Sequence, residues 1–444
     1  MDEEGIVHIG IDDTDSLIYG GCTTYVAALA VEKLVKSGFE FADYPNLVRL
    51  NPNIPWKSRG NGAVALRLYA DDIDEPFNIV VDILKQAYVK EDLRNQPGIV
   101  AFKGEILDEV KSYSMRALFD ILSVDDALKV IEKHGMLSYW ERGKRGLIGA
   151  LAAVGLTLQE DYTYELLAYR VKGNYGKPRR IKFESVIEMD RVTKPLTFNN
   201  VDYGSSRLLI APHGPDPVLY GVRGETPEAL LLAKELIEVE EPIERWVIFR
   251  TNHGTDMHFI KKFKVSELKP YLSAIVEGYV VKNPTSIAGG HVLFKLADET
   301  GEIDVVAYEP TGDLRRAVRE LIEGDYVEVY GGVKQLESGA LTLNLEKLIV
   351  LKLAEKTMVL NPKCPRCGKR MKSEGKGKGF QCEKCKLKLR KAEKEVIKLS
   401  RALNEMEIYV ASPKAHRHLT KPLQRYGLEK KGEPFELIEK WHEP

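Results

Sequence analysis

Two closely spaced cysteine pairs near the C-terminus place the strongest constraint on how this chain can fold. Each C-x-x-C pair directs two sulfurs at one point, and the two pairs are separated by 14 residues. Four thiolates complete the tetrahedron that Zn²⁺ prefers and leave no open position, so the metal is expected to be structural. The alternative is a set of unpaired buried thiols. The spacing therefore predicts a zinc ribbon whose ligands are Cys364, Cys367, Cys382 and Cys385.

The ribbon coincides with a strongly basic stretch of a nearly neutral chain. From Lys363 to Arg401 there are 15 basic and 4 acidic residues, whereas the 444 residues together carry 65 Lys and Arg against 66 Asp and Glu. Localised charge of this kind favours contact with a polyanion such as RNA. A solvated basic face is the simpler interpretation of the charge run taken alone. Phe380 is a candidate for base stacking or for the ribbon core, and the basic tail residues Lys414 to Arg425 extend the same prediction.

Composition excludes several classes of protein. Hydrophobic residues make up 44% and charged residues 30%, as in globular rather than disordered chains. The sequence has no apolar run near the ~20 residues of a membrane span, and its first residues lack the pattern of a signal peptide. We therefore expect a cytoplasmic protein of three or four domains, without membrane association or an obligate protein partner. Disulfides are not expected, and Cys22 is interpreted as packing.

An acidic corner near the N-terminus is the main candidate for catalysis. Residues 5–11 predict a buried strand, which is followed by the cluster Asp12, Asp13 and Asp15. Three neighbouring carboxylates repel one another unless cations share the site, and Mg²⁺ prefers such oxygen ligands. An Asp-rich turn or helix cap is the alternative. Metal and phosphate binding is favoured by a glycine pair and two hydroxyls at the start of the next predicted helix: Gly20, Gly21, Thr23 and Thr24.

A second loop could serve the same phosphates. It combines cations, amides and glycines ahead of an apolar strand, in the run Lys57, Ser58, Arg59, Gly60, Asn61 and Gly62. Arg59 is the candidate for neutralising charge during phosphoryl transfer. An ordinary surface turn is the alternative. No Walker-type G-x-x-x-x-G-K-[ST] sequence accompanies the corner, so a P-loop is not expected.

The rest of the chain predicts three further units. Gly and Ala at 143–155 predict a close-packed helix, and the strands and helices from about 160 predict an α+β, ferredoxin-like unit. A turn at 213–217 is expected to join strands 208–211 and 218–222, and His253 to His258 is interpreted as a loop. Five strands with one helix between the third and fourth, within 270–352, give the OB-fold order, with another small β-barrel as the alternative. The expected domains are 1–135, 136–265, 266–355 and 356–444.

These motifs together resemble one known family. The run Ile9 to Ser16, the Cys22-Thr23-Thr24 motif and the Arg59-Gly60-Asn61-Gly62 loop are similar to those of the archaeal 2-agmatinylcytidine synthetases. The resemblance covers essentially the whole chain and implies a multidomain α+β protein. Its implied parts are a kinase-like α/β N-terminal domain, a ferredoxin-like domain, an OB-fold β-barrel and a C-terminal zinc ribbon. The Leu17 to Gly21 stretch is about one residue longer than the family pattern.

The resemblance also implies a reaction. The family uses ATP to activate the C2 oxygen of the wobble cytidine in the CAU anticodon of an isoleucine tRNA. Agmatine then displaces that oxygen, giving 2-agmatinylcytidine, AMP and phosphate. Thr23 corresponds to the autophosphorylated threonine, and Asp12, Asp13 and Asp15 to the residues that bind Mg²⁺ and ATP. A pocket for agmatine should offer carboxylates and aromatic faces. The candidates are Asp202, Tyr203, Ser205 and Ser206, with Asp216 as a further one and a surface loop as the alternative for each.

Two other functions compete with this hypothesis. A non-catalytic RNA- or single-stranded-DNA-binding protein needs only the OB-fold and the ribbon, and leaves the acidic cluster unexplained. A small-molecule kinase uses the acidic corner and leaves the basic ribbon without a role. Dependence of ATP turnover on tRNA separates these possibilities.

Overall fold

The computed structural model describes residues 5–57, 60–432 and 436–444, and its first part alternates strands with helices. The β-branched run after Gly5 forms the first strand, and the helix over 146–155 is rich in Gly and Ala, as predicted. The elements are β1 (Ile6–Asp12), α1 (Thr23–Lys36), β2 (Glu40–Phe41), β3 (Asn46–Arg49), β4 (Gly62–Tyr69), α2 (Asp74–Ala87), β5 (Gly98–Lys103), α3 (Asp108–Ala117), α4 (Val124–Lys133), β6 (Leu137–Trp140) and α5 (Gly146–Gly155).

The second part adds longer strands and helices together with three very short strands. The side chain of Thr226 accepts a hydrogen bond from the amide of Ala229 and caps the helix that begins at Pro227, as the sequence predicts. The elements are β7 (Thr163–Arg170), α6 (Phe183–Thr193), β8 (Thr197–Phe198), β9 (Val201–Asp202), β10 (Arg207–Leu208), β11 (Val218–Gly224), α7 (Pro227–Leu236) and β12 (Ile243–Thr251).

Both parts contribute to one 11-stranded sheet. Its order is β6-β5-β1-β4-β3-β12-β7-β11-β8, with β2 added beside β4 and a C-terminal strand added beside β12. The two parts meet where β3 and β12 pair in parallel through only two residue pairs. A buried ion pair between Arg250 and Asp43 reinforces this junction. The sheet runs without a break across residue 135, because β6 pairs with β5 and α5 packs on β1.

One expected hairpin is wrong. The sequence predicts that the strand over 208–211 turns at 213–217 and pairs with 218–222. Instead β10 is only two residues long and pairs with β9, whereas β11 pairs with β7 and β8. The expected pairing between these two segments is reduced to a single hydrogen bond, from the amide of Gly221 to the carbonyl of Ile210. The sheet offers β11 partners on both sides, and tertiary pairing outweighs the local turn signal.

The third unit is a closed five-stranded barrel with its own core. The elements are β13 (Ser273–Ser286), β14 (Val292–Asp298), β15 (Gly301–Ala307), α8 (Asp313–Arg319), β16 (Tyr326–Gln335) and β17 (Leu341–Lys352). Parallel pairing of β15 with β17 closes the barrel, and the one α-helix lies between the third and fourth strands. This is the OB-fold order expected from the sequence.

The cysteine-containing segment is a small ribbon carried on a two-stranded stalk. The stalk pairs β18 (Thr357–Leu360) with β22 (Glu395–Lys398), and the ribbon contains β19 (Lys372–Ser373), β20 (Phe380–Gln381) and β21 (Lys388–Leu389). The sulfurs of the four cysteines all lie within 4.8 Å of one another. Phe380 packs with Met371 in the ribbon core, so it is not an exposed stacking residue.

The chain then returns from the ribbon to the other units. Strand β23 (Ile408–Val410) pairs with β17 of the barrel, and β24 (His442–Glu443) pairs with β12 of the large sheet. We call residues 411–432 and 436–444 the C-terminal strap. Arg425 of the strap is fully buried between Glu225 and Asp161, so it does not face RNA as the basic tail suggested. No helix in the described parts of the chain has the length and hydropathy of a membrane span.

Candidate active site

The carboxyl end of β1 carries the acidic cluster to the start of α1. Thr23 is the first residue of α1, and Asp15 lies directly opposite it. Asp15 Oδ1 accepts hydrogen bonds from the Thr23 amide at 2.6 Å and from the Thr23 hydroxyl at 3.0 Å. The Thr14 hydroxyl donates to Thr23 Oγ1 at 3.0 Å. A carboxylate that accepts a hydrogen bond from a fixed hydroxyl group is positioned as a general base beside its nucleophile.

Asp12 and Asp13 form a buried acidic pair beside this threonine. Burial, and then the charge of Asp13, raise the pKa of Asp12 well above its usual value. Burial also raises the pKa of Asp13 to about 6, although Arg145 opposes the shift through an ion pair at 2.7 Å. Both shifts arise mainly because burial disfavours the charged form of a carboxyl group. Oxygen donors of this kind are the ligands that a hard divalent cation prefers.

Close packing of α5 fixes the position of Asp12. A Cβ atom built on Gly149 would lie 1.9 Å from Asp12 Oδ2, and one built on Gly10 would lie 2.0 Å from the carbonyl oxygen of Ala150. The helix can approach β1 this closely only because both positions are glycine. The close-packed helix predicted at 143–155 is thus part of the acidic site, a role that its composition did not indicate.

The first pocket opens in front of the acidic cluster and has two chemically different ends. About 780 Å³ of empty space lies between β1, the loop after β3 and the α3–α4 connection. Its polar end is lined by Asp12, Asp13, Asp15, Thr23, Lys57 and Arg145. Its apolar end is lined by Leu50, Ile54, Ala117, Ile121, Leu122 and Ile148, and Trp56 and Asp120 are also in the lining. A molecule with a charged and a flat apolar part matches this division.

The predicted cationic loop forms one wall of this pocket. Lys57 is half-buried, and burial together with Arg417 lowers the pKa of its ammonium group. Asn61 adopts a positive φ of 50° and donates to the carbonyl of Asn51 at 2.8 Å. Gly62 also lines this pocket, whereas Gly60 lines a second one. Ser58 and Arg59 lie outside the described residues.

Gly20 and Gly21 allow close contacts between the loop before α1 and its neighbours. Gly20 has a φ of +84°, and a Cβ atom there would lie 2.5 Å from the carbonyl oxygen of Pro215. A Cβ atom on Gly21 would lie 2.6 Å from the carbonyl oxygen of Thr14. Both glycines thereby allow the loop to fold tightly against its neighbours, and neither lines the first pocket.

A second pocket lies on the other side of Thr23. Asp15 and Thr23 line both pockets, so the threonine is in the partition between them. Thr24 lines the second pocket, where its hydroxyl lies 3.0 Å from the sulfur of Cys22. This pocket is open to solvent and extends across β7 and β11 of the ferredoxin-like part. A group on Thr23 could therefore contact molecules in either pocket.

Buried charges that sequence reasoning missed line the second pocket. Burial alone would raise the pKa of Glu165, but Arg223, His253 and Arg49 hold it well below its usual value. The ion-pair distances to Arg223 and Arg49 are 3.1 and 3.3 Å. His418 of the strap lies on the same wall, with its ring centroid 5.1 Å from that of His253. Strand β7 is buried on both faces, and Glu165 and Leu167, two positions apart on one face, both line this pocket.

The expected agmatine candidates lie together in the β9–β10 turn. Asp202 accepts hydrogen bonds from the Ser205 hydroxyl and, at 3.1 Å, from the amide of Gly204, while the Tyr203 hydroxyl donates to Asp190. Ser206 has a positive φ of 50°. None of these residues is among those lining the two pockets described above, whereas Asp216 and Glu165 line the second. Of the His253 to His258 loop, His253 approaches this pocket, and His258 pairs with Glu346 of the barrel.

Comparisons with known proteins cover all four units of the chain. Four family models match it: the TiaS TCKD domain at residues 8–71, the TiaS FLD domain at 144–258, an OB-fold nucleic acid binding domain at 274–351 and the TiaS C-terminal zinc ribbon domain at 361–403. These matches support the expected OB-fold and the structural zinc site.

Similar proteins extend over nearly the full length. The 2-agmatinylcytidine synthetase TiaS of Methanocaldococcus jannaschii, named for the second isoleucine tRNA, is 45% identical over 431 residues, which cover 95% of this chain and 99% of the relative. The crystal structure of TiaS with that tRNA and ATP superposes with a TM-score of 0.84 at 42% identity, and that of TiaS with the tRNA, AMPCPP and agmatine with 0.81 at 40%. Each alignment covers 95% of this chain and 97% of the other. The chain therefore belongs to the TiaS family of tRNA 2-agmatinylcytidine synthetases.

Proposed function

We propose that this protein is an ATP-dependent tRNA-modifying ligase. It activates the C2 oxygen of the wobble cytidine in the CAU anticodon of isoleucine tRNA by phosphorylation. It then replaces that oxygen with agmatine, giving 2-agmatinylcytidine, AMP and two phosphates, with one water consumed. One observation carries the proposal: the Thr23 hydroxyl, paired with a carboxylate, lies in the wall shared by two pockets of different chemistry. Family membership supports the same reaction.

ATP occupies the first pocket in this proposal. Its adenine ring suits the apolar end around Ile54 and Ile148, and its phosphates suit the polar end beside Lys57 and Arg145. Asp12, Asp13 and Asp15 would hold Mg²⁺, which when bound offsets the charge of the phosphates. Gly60, Asn61 and Gly62 would border the phosphates, with Ser58 and Arg59 assigned there from the sequence. Gly20, Gly21 and Thr24 shape the neighbouring corner.

Thr23 is the nucleophile and phosphoryl carrier in this proposal. Asp15 accepts the hydroxyl proton as the oxygen attacks the γ-phosphorus of ATP, because the two groups are already 3.0 Å apart. The bond from that phosphorus to the bridging oxygen breaks and ADP leaves, and ADP must then lose its β-phosphate to water to end as AMP. Thr14 donates to the same oxygen and fixes its direction. A phosphothreonine at this position faces both pockets, so it can form on the ATP side and act on the RNA side.

The second pocket accommodates the cytidine and agmatine. Agmatine carries a guanidinium and an amine, and Asp216 and Glu165 are the buried carboxylates of this wall. Asp202, Tyr203, Ser205 and Ser206 remain candidate contacts, although three of them already bond to partners within the protein. The wobble base must leave its stack to enter, at a cost of a few kcal/mol. Binding of the tRNA by the OB-fold and the basic ribbon offsets this cost.

The four expected domains divide these tasks. Residues 1–135 hold Mg²⁺ and most of the ATP site, to which Arg145 and Ile148 of the next unit also contribute. Residues 136–265 hold agmatine and cytidine, and 266–355 and 356–444 hold tRNA. The large sheet joins the first two units into one hydrogen-bonded body, and the first pocket takes residues from both sides of residue 135. Cytoplasmic localisation agrees with a tRNA substrate.

The test measures ATP consumption with Mg²⁺ and identifies the nucleotide product. Agmatine and an isoleucine tRNA transcript bearing CAU are added separately and together. AMP release that requires both supports the ligase. ADP formed without tRNA indicates a small-molecule kinase, and tRNA binding without turnover indicates a binding protein. T23A should abolish modification while keeping tRNA affinity, whereas T23S, which keeps a hydroxyl, should retain activity.

A further inference from the structure

The OB-fold makes an unexpected contact behind the first pocket. Asn51, which is fully buried, donates from Nδ2 to the carbonyl of Tyr271 at 2.9 Å. Asn53 donates to the hydroxyl of Ser273 at 2.9 Å, and that hydroxyl donates to Asn51 Oδ1 at 3.2 Å. Tyr271 and Ser273 lie at the entry to the barrel. We call Asn51, Asn53 and Ser273 the amide junction.

The junction holds both walls of the apolar end of the pocket. Asn51 and Asn53 belong to the same loop as the lining residue Ile54. The opposite wall is the α3–α4 connection, and there the amide of Ser273 donates to the carbonyl of Phe119 at 2.9 Å. Asn51 also bonds to this connection, at the carbonyl of Asp120. The same three residues thus tie two pocket walls to the barrel.

Close packing restricts movement of the barrel relative to the loop that follows β3. A Cβ atom on Gly332 of β16 would lie 2.1 Å from Asn53 Oδ1, so the barrel strand contacts the asparagine directly. Tyr271 adopts a positive φ of 70°, an unfavourable conformation for a tyrosine, and presents its carbonyl to Asn51. Separating the barrel from the loop would leave the buried amide and hydroxyl of the junction without partners. The barrel and the pocket walls therefore move as one body.

We infer that the amide junction couples tRNA binding by the OB-fold to ATP binding in the first pocket. This inference rests on the proposed function for the identity of the two ligands. A tRNA that contacts both the barrel and the large sheet holds the barrel in place, and through the junction it orders the walls around the adenine. ATP then binds walls that are already ordered, so each ligand tightens the other. Asn51, Asn53 and Ser273 are positioning residues in this scheme.

The experiment measures the dissociation constant of a non-hydrolysable ATP analogue with and without saturating CAU-bearing isoleucine tRNA. The full-length wild-type protein should bind the analogue about 5-fold or more tighter when tRNA is present. Asn53→Ala removes the bonds to Ser273, to the carbonyl of Leu272 and to Arg417 of the strap. Gly332→Ala inserts a methyl group between strand and loop. Both should bring the ratio of the two constants close to one, while tRNA affinity measured without nucleotide stays within about 2-fold of wild type.

A matched control separates coupling from general damage. Asn404→Ala makes the same chemical change at an exposed site, where the side chain bonds to Glu407 in the loop before β23, and should keep the wild-type ratio. If the wild-type protein binds both ligands and the ratio of its two dissociation constants for the analogue is one, the inferred coupling is wrong and the proposed function stands. Retention of the wild-type ratio by both junction variants also overturns the coupling. Failure of the wild-type protein to bind either ligand instead contradicts the proposed function.

Discussion

Gly149→Ala tests whether a glycine at this position of α5 is needed to hold the Asp12 carboxylate in place. The new methyl carbon would lie 1.9 Å from Asp12 Oδ2, whereas such contacts are essentially never below 3.0 Å, so one group must move by about 1.1 Å or more. The carboxylate is the end of a flexible side chain, and it is expected to yield before the helix does. A displacement near 1 Å at a reacting centre can cost about 100-fold in rate. We therefore expect kcat to fall about 100-fold or more.

The stability of the same variant should change little. Alanine in a helix interior is favoured over glycine by about 1 kcal/mol. This gain offsets part of the ~1–3 kcal/mol that overpacking usually costs. The expected loss in the free energy of unfolding is therefore below about 2 kcal/mol. Enzyme turnover with tRNA and agmatine gives kcat, and urea denaturation gives the stability of the same preparation.

Gly155→Ala is the matched control at the other end of α5. Its methyl carbon would lie 2.6 Å from the carbonyl oxygen of Val110 and 2.3 Å from Ser114 Oγ, so part of the collision is with rigid backbone. This variant should lose more stability than Gly149→Ala and keep the kcat of its folded fraction. If Gly149→Ala retains kcat within about 3-fold of wild type, the argument that this glycine positions Asp12 is refuted.

Three further predictions concern the other parts of the chain. Removing zinc with a chelator should unfold the ribbon, because binding energy at a structural zinc site is folding energy; tRNA affinity should fall while affinity for an ATP analogue persists. Arg425→Met removes the fully buried partner of Glu225 and Asp161, which keep only Lys430 and Lys421 as cationic partners, and urea denaturation should show a loss of about 3 kcal/mol. Burial would raise the pKa of Glu346, but Arg417 and His258 lower it to about 2 from 4.5. Its stabilisation, at most about 3 kcal/mol, is present above pH 4.5 and lost as pH falls toward 2, and Glu346→Gln should abolish that part of the acid dependence of unfolding.

Local sequence patterns were sufficient to predict the structure where the informative residues lie close together in the sequence. The cysteine spacing predicted the ribbon, and the five-strand order predicted the barrel. The acidic cluster and Thr23 were predicted to share one corner, and the structure brings them together. Each of these depends on residues close in the sequence or on one element at a time.

Local sequence patterns could not predict contacts between segments that are far apart in the sequence. Glu165 and His418 are 253 positions apart and meet only because the strap returns across the large sheet. Arg145 follows Asp13 by 132 positions, and nothing near either residue indicated their ion pair. The hairpin at 213–217 failed for the same reason, because the sheet offered β11 better partners than its neighbour in sequence.

The return of the strap also sets an order of assembly during protein synthesis. Residues 5–155, which carry most of the first pocket, leave the ribosome early, and the hydrophobic core that they share with residues as distant as Trp441 is completed only later. His416 and His418 are made about 260 positions later, after the barrel and the ribbon. A nascent chain thus contains the lining of the first pocket well before the wall of the second pocket is complete. Both pockets can therefore be complete only after translation has passed residue 418.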